Sequence, residues 1–237
     1  GHVDEALTCF ELMKLEGVNP DAITYVCILK ACILKGAIEK GKEIHDEVVK
    51  SGLETNDIVA NTLIDIYAKW GFMDEAQEVF GRVPQSVISW TALIAGYVDQ
   101  SCSEQVFRCV EQMQISGFPP DAITFVSLLK VCATVRDIDK GKFIHSQIER
   151  HGLSTQNLII GNALVDMYAR CGYVSVAEHL LHCIPHPDTY TWNALMIGYS
   201  QNGYYSQAIR CFESMQHCDV LLDVVTFICC LKVCGSM

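Results

Sequence analysis

The fold is decided by the stretch Trp90-Thr91-Ala92-Leu93-Ile94-Ala95-Gly96-Tyr97, which returns 102 residues later as Trp192-Asn193-Ala194-Leu195-Met196-Ile197-Gly198-Tyr199. Two more stretches have an echo at nearly the same distance: residues 22–26 return at 122–126, and residues 61–69 return at 162–170. Self-similarity at a fixed spacing is typical of an array of stacked repeats. The fold and the function must therefore be sought in the repeat unit.

The repeat unit has the apolar period of a pair of helices. Trp90, Leu93, Ile94 and Tyr97 stand at i, i+3, i+4 and i+7, and a second stripe of the same kind runs over residues 106–113. A polar break at residues 99–103 separates the stripes, and glycine and proline at residues 117–120 end the second one. Because neither helix can bury its stripe alone, the pattern predicts an all-α, right-handed solenoid of helix-turn-helix repeats.

The same pattern divides the chain into a single array of repeats that alternate in length. The complete repeats are 29 to 36 residues long. The predicted blocks are a partial standard repeat at 1–21, a long repeat at 22–57, a short one at 58–86, a standard one at 87–121, a long one at 122–157, a short one at 158–188, a standard one at 189–223, and a partial long repeat at 224–237.

Composition limits the function classes. Of the 237 residues 50% are hydrophobic and only 19% are charged, with a net charge of −11. A chain this acidic is not suited to duplex DNA, whose phosphates must be neutralised by many lysines and arginines. The sequence has no apolar run of membrane-spanning length, so no membrane partner is expected. The first residues resemble the interior of a repeat, which predicts a piece of a longer protein without its targeting segment.

Thirteen cysteines and eight histidines raise the question of a metal or disulfide site. Cys32, Cys132 and Cys234 occupy one repeat position, and no C-x-x-C pair occurs. Recurrence at one register is typical of small buried side chains in a packed helix seam, so we expect reduced, structural cysteines. His45 and His145 likewise recur in equivalent G-K-x-I-H stretches. No metal and no cofactor is predicted.

The alternating repeats resemble the pentatricopeptide repeat family, specifically its plant organelle subclass of standard, long and short repeats. Residues 87–97 are similar to the start of the standard form, residues 128–145 to the long form and residues 161–172 to the short form. A tetratricopeptide array would instead keep a constant length of about 34 residues and show W-x-x-L-G-x-x-Y.

The resemblance implies binding of single-stranded RNA, with about one base per repeat read by two or three side chains. In this family the fifth and the last residue of a repeat specify the base. Those pairs are Asn61 with Ser86, Thr91 with Asp121, Asn162 with Asp188, and Asn193 with Asp223, and in the long repeats Val26 with Asp57 and Val126 with Asn157. The family code then implies the footprint unread, C, G, unread, U, U from 5′ to 3′.

The resemblance also implies apolar second residues that stack on bases and cations that contact phosphates. The second residues are Ile23, Ile88, Ile123, Ile159, Tyr190 and Val225, and the cations are Lys69 and Arg170. The short repeat at 58–86 lacks one residue before Asn61 compared with the repeat at 158–188. An alternative stays open for the polar residues of the pairs, because Ser, Thr, Asn and Asp near helix starts also serve as caps.

Members of the resembled subclass often carry a deaminase domain that edits cytidine to uridine in RNA. That chemistry needs H-x-E with a downstream P-C-x-x-C, and although His45-Asp46-Glu47 matches the first motif, the chain contains no P-C-x-x-C. We therefore expect a non-enzymatic binding module of a mitochondrial or chloroplast RNA-editing or RNA-processing factor, with any deaminase outside this chain, in cis or in trans. The alternative is a protein-interaction solenoid whose long repeats bind accessory editing factors.

Overall fold

The computed structural model describes residues 3–153, 157–218 and 220–236, and every secondary-structure element in these ranges is an α-helix. The all-α prediction is confirmed. The chain divides into two compact units, Gly1–Pro120 and Asp121–Met237. This division falls within one residue of the predicted boundary between the standard repeat at 87–121 and the long repeat at 122–157.

The first unit contains seven helices in its described residues. They are α1 (Val3–Leu15), α2 (Ala22–Lys35), α3 (Ile38–Lys50), α4 (Asp57–Lys69), α5 (Met73–Arg82), α6 (Val87–Asp99) and α7 (Ser103–Ile115). The first helices of successive repeats pack in a row, α2 on α4 and α4 on α6, and each of them also packs on the second helix of its own repeat. Leu29, Ile64 and Ile94, one from each first helix, are completely buried in this core.

The second unit repeats this arrangement. Its helices are α8 (Ala122–Val135), α9 (Ile138–Arg150), α10 (Leu158–Arg170), α11 (Val174–Cys183), α12 (Thr189–Gln201), α13 (Tyr205–His217) and α14 (Val224–Ser236). The row of first helices is α8, α10, α12 and α14, with Leu129, Leu164 and Met196 at its centre. Each unit is therefore a stack of helical hairpins, the arrangement of a helical-repeat solenoid.

Glycines let neighbouring first helices approach closely. A Cβ added at Gly198 of α12 would overlap Ala169 of α10, with the Ala169 Cα at only 3.0 Å. In the first unit, Gly96 of α6 meets Ala68 of α4 in the same way. Gly96 and Gly198 occupy the same position of the repeated stretch that decides the fold. The internal repeat in the sequence therefore corresponds to a repeated close approach between neighbouring first helices.

The recurring histidines and cysteines have structural roles. His45 Nδ1 lies 2.8 Å from the Tyr67 hydroxyl, and His145 Nδ1 lies 3.0 Å from that of Tyr168, so each joins the second helix of a long repeat to the first helix of the next short one. Burial lowers the pKa of both histidines and keeps the rings neutral near pH 7. All thirteen cysteines are free thiols.

Two of the three cysteines at the shared repeat position, Cys32 and Cys132, are completely buried, whereas Cys234 on α14 is exposed. Among the described residues, no cluster of histidine, cysteine or acidic side chains is arranged to hold a metal ion. No helix in the described ranges combines the length and the apolar character that a membrane span requires.

Candidate nucleic-acid interface

The second residue of each first helix is a large apolar side chain that remains exposed. All six predicted stacking residues behave in this way, with exposed fractions between 45% and 68%: Ile23, Ile88, Ile123, Ile159, Tyr190 and Val225. Single exposed apolar residues are ordinary on a protein surface, but recurrence at one position of every repeat is not. These side chains take no part in the core and leave one exposed apolar residue at the same position of each repeat.

The structure corrects the register of the first short repeat. Helix α4 begins at Asp57, and the Asn56 side chain caps it by accepting from the backbone N–H of Ile58 and Val59. Asn157 caps α10 in the same way, from Ile159 and Ile160. The boundary therefore lies between Asn56 and Asp57, one residue earlier than predicted. Asn56, and not Asp57, ends the long repeat.

The corrected register gives this repeat an exposed apolar second residue, which was not predicted. Ile58 becomes the second residue of α4 and is exposed like its counterparts. Asn61 keeps its place, because it follows Asn56 by the same five residues by which Asn162 follows Asn157. The residue that seemed to be missing from the short repeat is therefore missing from the linker at 51–56, which is one residue shorter than its equivalent at 151–157, and helix α4 itself is complete.

The predicted pair Asn162 and Asp188 is joined directly in the structure. The Asn162 Nδ2 group donates to both carboxylate oxygens of Asp188, at 3.2 and 3.3 Å. The Asn162 Oδ1 atom accepts from the hydroxyl of Thr191, which is the third residue of the following repeat. The amide is therefore held at one end by the last residue of its own repeat, Asp188, and at the other by Thr191 of the next repeat.

The pair Asn193 and Asp223 forms the same network one repeat later. Asn193 Nδ2 donates to Asp223 Oδ1 at 3.0 Å, and Asn193 Oδ1 accepts from the Thr226 hydroxyl at 2.8 Å. Asp223 also accepts from the Thr226 backbone N–H at 2.8 Å. The donors from Thr226 and Asn193 lower the pKa of Asp223, so the carboxylate stays charged over the physiological range.

A cavity of about 330 Å³ brings five of the predicted site residues together. Asn193 and Asp223 line it, with the stacking residues Tyr190 and Val225 of successive repeats and with Arg170 of the preceding one. Asn193 is only 5% exposed but contributes to the cavity wall. Two apolar side chains, the amide–carboxylate pair and Arg170 with its partner Asp166 thus line one space, a combination of apolar lining and a few polar groups that is typical of ligand sites.

Both predicted phosphate cations already have an acidic partner one helical turn earlier. Lys69 Nζ lies 2.8 Å from Asp65, and Arg170 Nε lies 2.7 Å from Asp166. The Lys69–Asp65 pair is exposed to solvent and therefore worth little, whereas Asp166 is buried. Arg170 uses Nε for this contact and reaches the cavity, whereas Lys69 lies on the exposed end of α4.

The remaining predicted residues are not assembled into the same network. Ser86 caps α6 through Ser89, and within the described first unit no hydrogen bond joins Ser86 to the half-buried Asn61. Thr91 donates to the carbonyl of its own helix at Ile88, 2.9 Å away. Val26 is buried.

The capping alternative for the last residue of each repeat is confirmed. Asp121 accepts from the backbone N–H of Thr124, Asp188 from that of Thr191, and Asn157 from Ile159 and Ile160. In the second unit the two roles coexist, because the cap of α12 is also the partner of Asn162. Val126, opposite Asn157 in its repeat, offers no hydrogen-bonding group.

The third residue of the repeat was not predicted to belong to the site. Thr191 and Thr226 are completely buried, and each contacts both members of the preceding Asn–Asp pair. The signal was available as a hydroxyl residue that recurs at this position: Thr24, Ser89, Thr124, Thr191 and Thr226. Without the fold, such a residue in a first turn indicates only a helix cap.

The fold and the recurring interface define a helical-hairpin repeat protein with a polar pair and an apolar residue displayed by each repeat. Models of the PPR repeat family match residues 85–134 and 187–236, those of the PPR repeat match 23–53 and 58–86, and the pentatricopeptide repeat domain matches 1–34. The chain belongs to the pentatricopeptide repeat family.

Relatives and solved structures agree with this assignment. The chain is 35% identical to the Arabidopsis thaliana pentatricopeptide repeat-containing protein CRR2, chloroplastic, over 99% of this chain and 37% of that protein. It is 34% identical to the putative mitochondrial protein At3g13770 of the same plant, over 99% and 38%. The crystal structure of the pentatricopeptide repeat protein PPR10 in complex with an 18-nt psaJ RNA element has a TM-score of 0.81 at 22% identity, covering 100% of this chain and 38% of that one.

Proposed function

We propose that this chain binds single-stranded RNA, with about one base per repeat. The observation that carries the proposal is the cavity in which an exposed apolar residue from each of two successive repeats flanks the hydrogen-bonded Asn193 and Asp223. A base is planar, with two apolar faces and a polar edge. It therefore fits a cavity in which Tyr190 and Val225 offer apolar contacts and Asn193 and Asp223 offer hydrogen-bonding groups. The PPR10 complex with RNA, which shares the fold, supports the same ligand class.

Stacking supplies most of the affinity in this proposal. Tyr190 is the second residue of the Asn193 repeat and lines the cavity beside Asn193, where the face of its ring is available to one base. Aromatic stacking on single strands contributes about 1–3 kcal/mol per base, and the aliphatic residues of the other repeats contribute less. An acidic protein binds RNA in this way with few phosphate contacts.

Hydrogen bonding supplies the preference among bases. An asparagine amide whose second N–H and second lone pair face the cavity presents a donor beside an acceptor, and the uracil edge offers O4 and N3–H in return. The proposed footprint is therefore U, U at the two Asn–Asp repeats, preceded by C and G at the Asn61 and Thr91 repeats. The long repeats with Val26 and Val126 leave their bases unread.

The biological setting belongs to the same proposal. The chain spans about two fifths of the length of the first curated relatives it matches, and three of these are named chloroplastic or mitochondrial. We place the chain in the subclass of standard, long and short repeats, as the recognition part of an organelle factor for RNA editing or processing. A deaminase, where editing is the outcome, acts from outside this chain.

Binding titrations with labelled, unstructured oligonucleotides test the proposal. RNA that carries the C-G-N-U-U core should bind more tightly than scrambled RNA of the same composition. Asn193→Thr should move the preference at one nucleotide from U towards G, whereas Asn19→Thr, in the exposed linker before α2, should change nothing. Equal and weak binding of all sequences would refute RNA recognition by these repeats.

A second candidate function is protein binding through the long repeats. The observation in its favour is Phe143 of α9, which is 62% exposed on the second helix of the long repeat at 122–157. An accessory editing factor is the partner that the family resemblance implies. Phe143→Ala should abolish that association and leave the RNA titration unchanged.

A further inference from the structure

The amides of Asn162 and Asn193 are each held by a residue outside the pair that the family code uses. Thr226 belongs to the repeat after Asn193, and its hydroxyl lies 2.8 Å from both Asn193 Oδ1 and Asp223 Oδ1. Thr191 holds Asn162 and Asp188 in the same way. We infer that Thr191 and Thr226 are specificity-determining residues for the repeat that precedes each of them, an inference that rests on the proposed RNA binding.

The carboxylate and the hydroxyl set two different properties of the amide. Asp223 only accepts hydrogen bonds, so it decides that Nδ2 and not Oδ1 of Asn193 faces it. One contact leaves the amide free to swing about its last torsion, for which the energy minimum is broad. The single hydroxyl proton of Thr226 has both Asn193 Oδ1 and Asp223 Oδ1 within 2.8 Å, and when it is donated to Asn193 Oδ1 it fixes the plane of the amide. One N–H and one lone pair of Asn193 then point in a single direction.

Burial makes this second contact effective. Thr226 is 0% exposed and sits in the first turn of α14, where its backbone N–H also binds Asp223. The threonine therefore cannot exchange its partner for solvent. A base then meets an amide that is already oriented, and no orientational freedom is lost on binding.

The first unit provides a natural contrast. Ser89 stands where Thr226 stands, but its hydroxyl donates to the Ser86 carbonyl at 2.9 Å and lies 3.4 Å from Ser86 Oγ. Among the described residues, neither Ser86 nor Ser89 is hydrogen-bonded to the Asn61 side chain. Asn61 therefore occupies the same repeat position as Asn193, but the plane of its amide is not fixed. We expect its repeat to distinguish C from U less sharply than the two repeats of the second unit.

Affinity ratios for RNAs that differ only at the nucleotide opposite the Asn193 repeat test the inference. Thr226→Val keeps the shape and removes the hydroxyl. The loss of one hydrogen bond should lower the preference for U over C by roughly 3- to 10-fold. Thr226→Ser retains the hydroxyl and should restore the preference.

Thr124→Val is the matched control. Thr124 is equally buried and its hydroxyl binds the cap Asp121 at 2.8 Å, but no asparagine amide in the described residues contacts it. Its substitution should lower the melting temperature about as much as Thr226→Val does and leave the U-over-C ratio at the Asn193 nucleotide unchanged. Thr191→Val, assayed at the neighbouring nucleotide, repeats the test if Thr226→Val does not fold.

The outcomes separate this inference from the proposed function. A wild-type preference for U that survives both valine substitutions within twofold would overturn the role of the threonines and leave RNA recognition standing. A wild-type chain without any preference at these two nucleotides would overturn both. Loss of the preference in the valine variants, with recovery in Thr226→Ser, supports both.

Discussion

Gly198 is the position at which one added methyl group should affect stability and base recognition together. It stands on α12 against α10, and an added Cβ would overlap the Ala169 Cβ and lie 3.0 and 3.1 Å from the Cα and carbonyl carbon of Ala169. Backbone atoms cannot move aside as the end of a flexible side chain can. We therefore expect Gly198→Ala to push α12 away from α10.

The magnitude follows from two opposing effects. Overpacking a tight core costs about 1–3 kcal/mol, and contact with backbone atoms puts this site near the upper end. Alanine returns about 1 kcal/mol because it is a better helix former than glycine. The net loss in the free energy of unfolding is about 2 kcal/mol, which for a chain of this size lowers the melting temperature by about 4–8 °C.

Thermal unfolding followed by circular dichroism measures this loss, and two other glycines provide controls. Gly81 in α5 has no atom within 4 Å of an added Cβ, so Gly81→Ala should stabilise by about 0.5–1 kcal/mol. At Gly141 the atoms nearest to an added Cβ all belong to the flexible Met167 side chain. The change in unfolding free energy for Gly141→Ala should therefore lie between those for Gly198→Ala and Gly81→Ala. A Gly198→Ala variant as stable as the wild type would refute the argument from close approach.

The same variant should weaken RNA recognition at the Asn162 repeat. The hydrogen bond from Thr191 to Asn162 crosses from α12 to α10, so any separation of these helices lengthens it. Gly81→Ala lies on a second helix and should leave every base preference unchanged. Loss of stability without loss of the U preference would show that the amide network tolerates the displacement.

Four further predictions follow from the described site. Tyr190→Ala should weaken binding to the U-U core by about 1–3 kcal/mol, whereas Tyr190→Phe, which keeps the ring face, should bind like the wild type in a fluorescence anisotropy titration. Ser86→Asp combined with Ser89→Thr should install the amide network at the Asn61 repeat and raise its U-over-C ratio, and an unchanged ratio would contradict the model of orientation. Burial raises the pKa of Cys211 to about 12, so in native protein at about pH 8 iodoacetamide should modify the exposed Cys183 and spare Cys211, as peptide mass mapping would show. With two candidate phosphate cations, log affinity should fall with log salt with a slope of only about −1.4, and a slope several times steeper would assign the binding to the phosphates.

Most of the fold could be predicted because the same apolar pattern recurs in each repeat. The apolar stripe from Trp90 to Tyr97 and its copy from Trp192 to Tyr199 both form the buried face of a first helix. The exposed second residues could also be predicted, since a repeat register transfers from one block to the next. The ion pairs of Lys69 and Arg170 could also be predicted from the sequence, because each cation follows an aspartate by four residues, one helical turn.

What the sequence could not supply depends on cap geometry and on contacts between repeats. The boundary at Asp57 was set by counting residues, whereas the helix start is set by whichever side chain caps it, and that side chain is Asn56. The hydrogen bonds of Thr191 and Thr226 to asparagines join residues 29 and 33 positions apart. A pattern of residue types along one chain does not reveal which of two nearby acceptors a hydroxyl meets.

Under the proposed RNA binding, these contacts imply that the unit that recognises a base does not coincide with the repeat. For the Asn193 nucleotide the amide comes from α12, whereas the carboxylate and the hydroxyl come from the cap and the first turn of α14. An exchange of whole repeats at the boundary after Asp188 would keep Asn162 with its carboxylate but replace Thr191. The base preference of a repeat therefore depends on the third residue of its successor, so two repeats with the same Asn–Asp pair are equivalent readers only when the next repeat supplies a hydroxyl that reaches the amide.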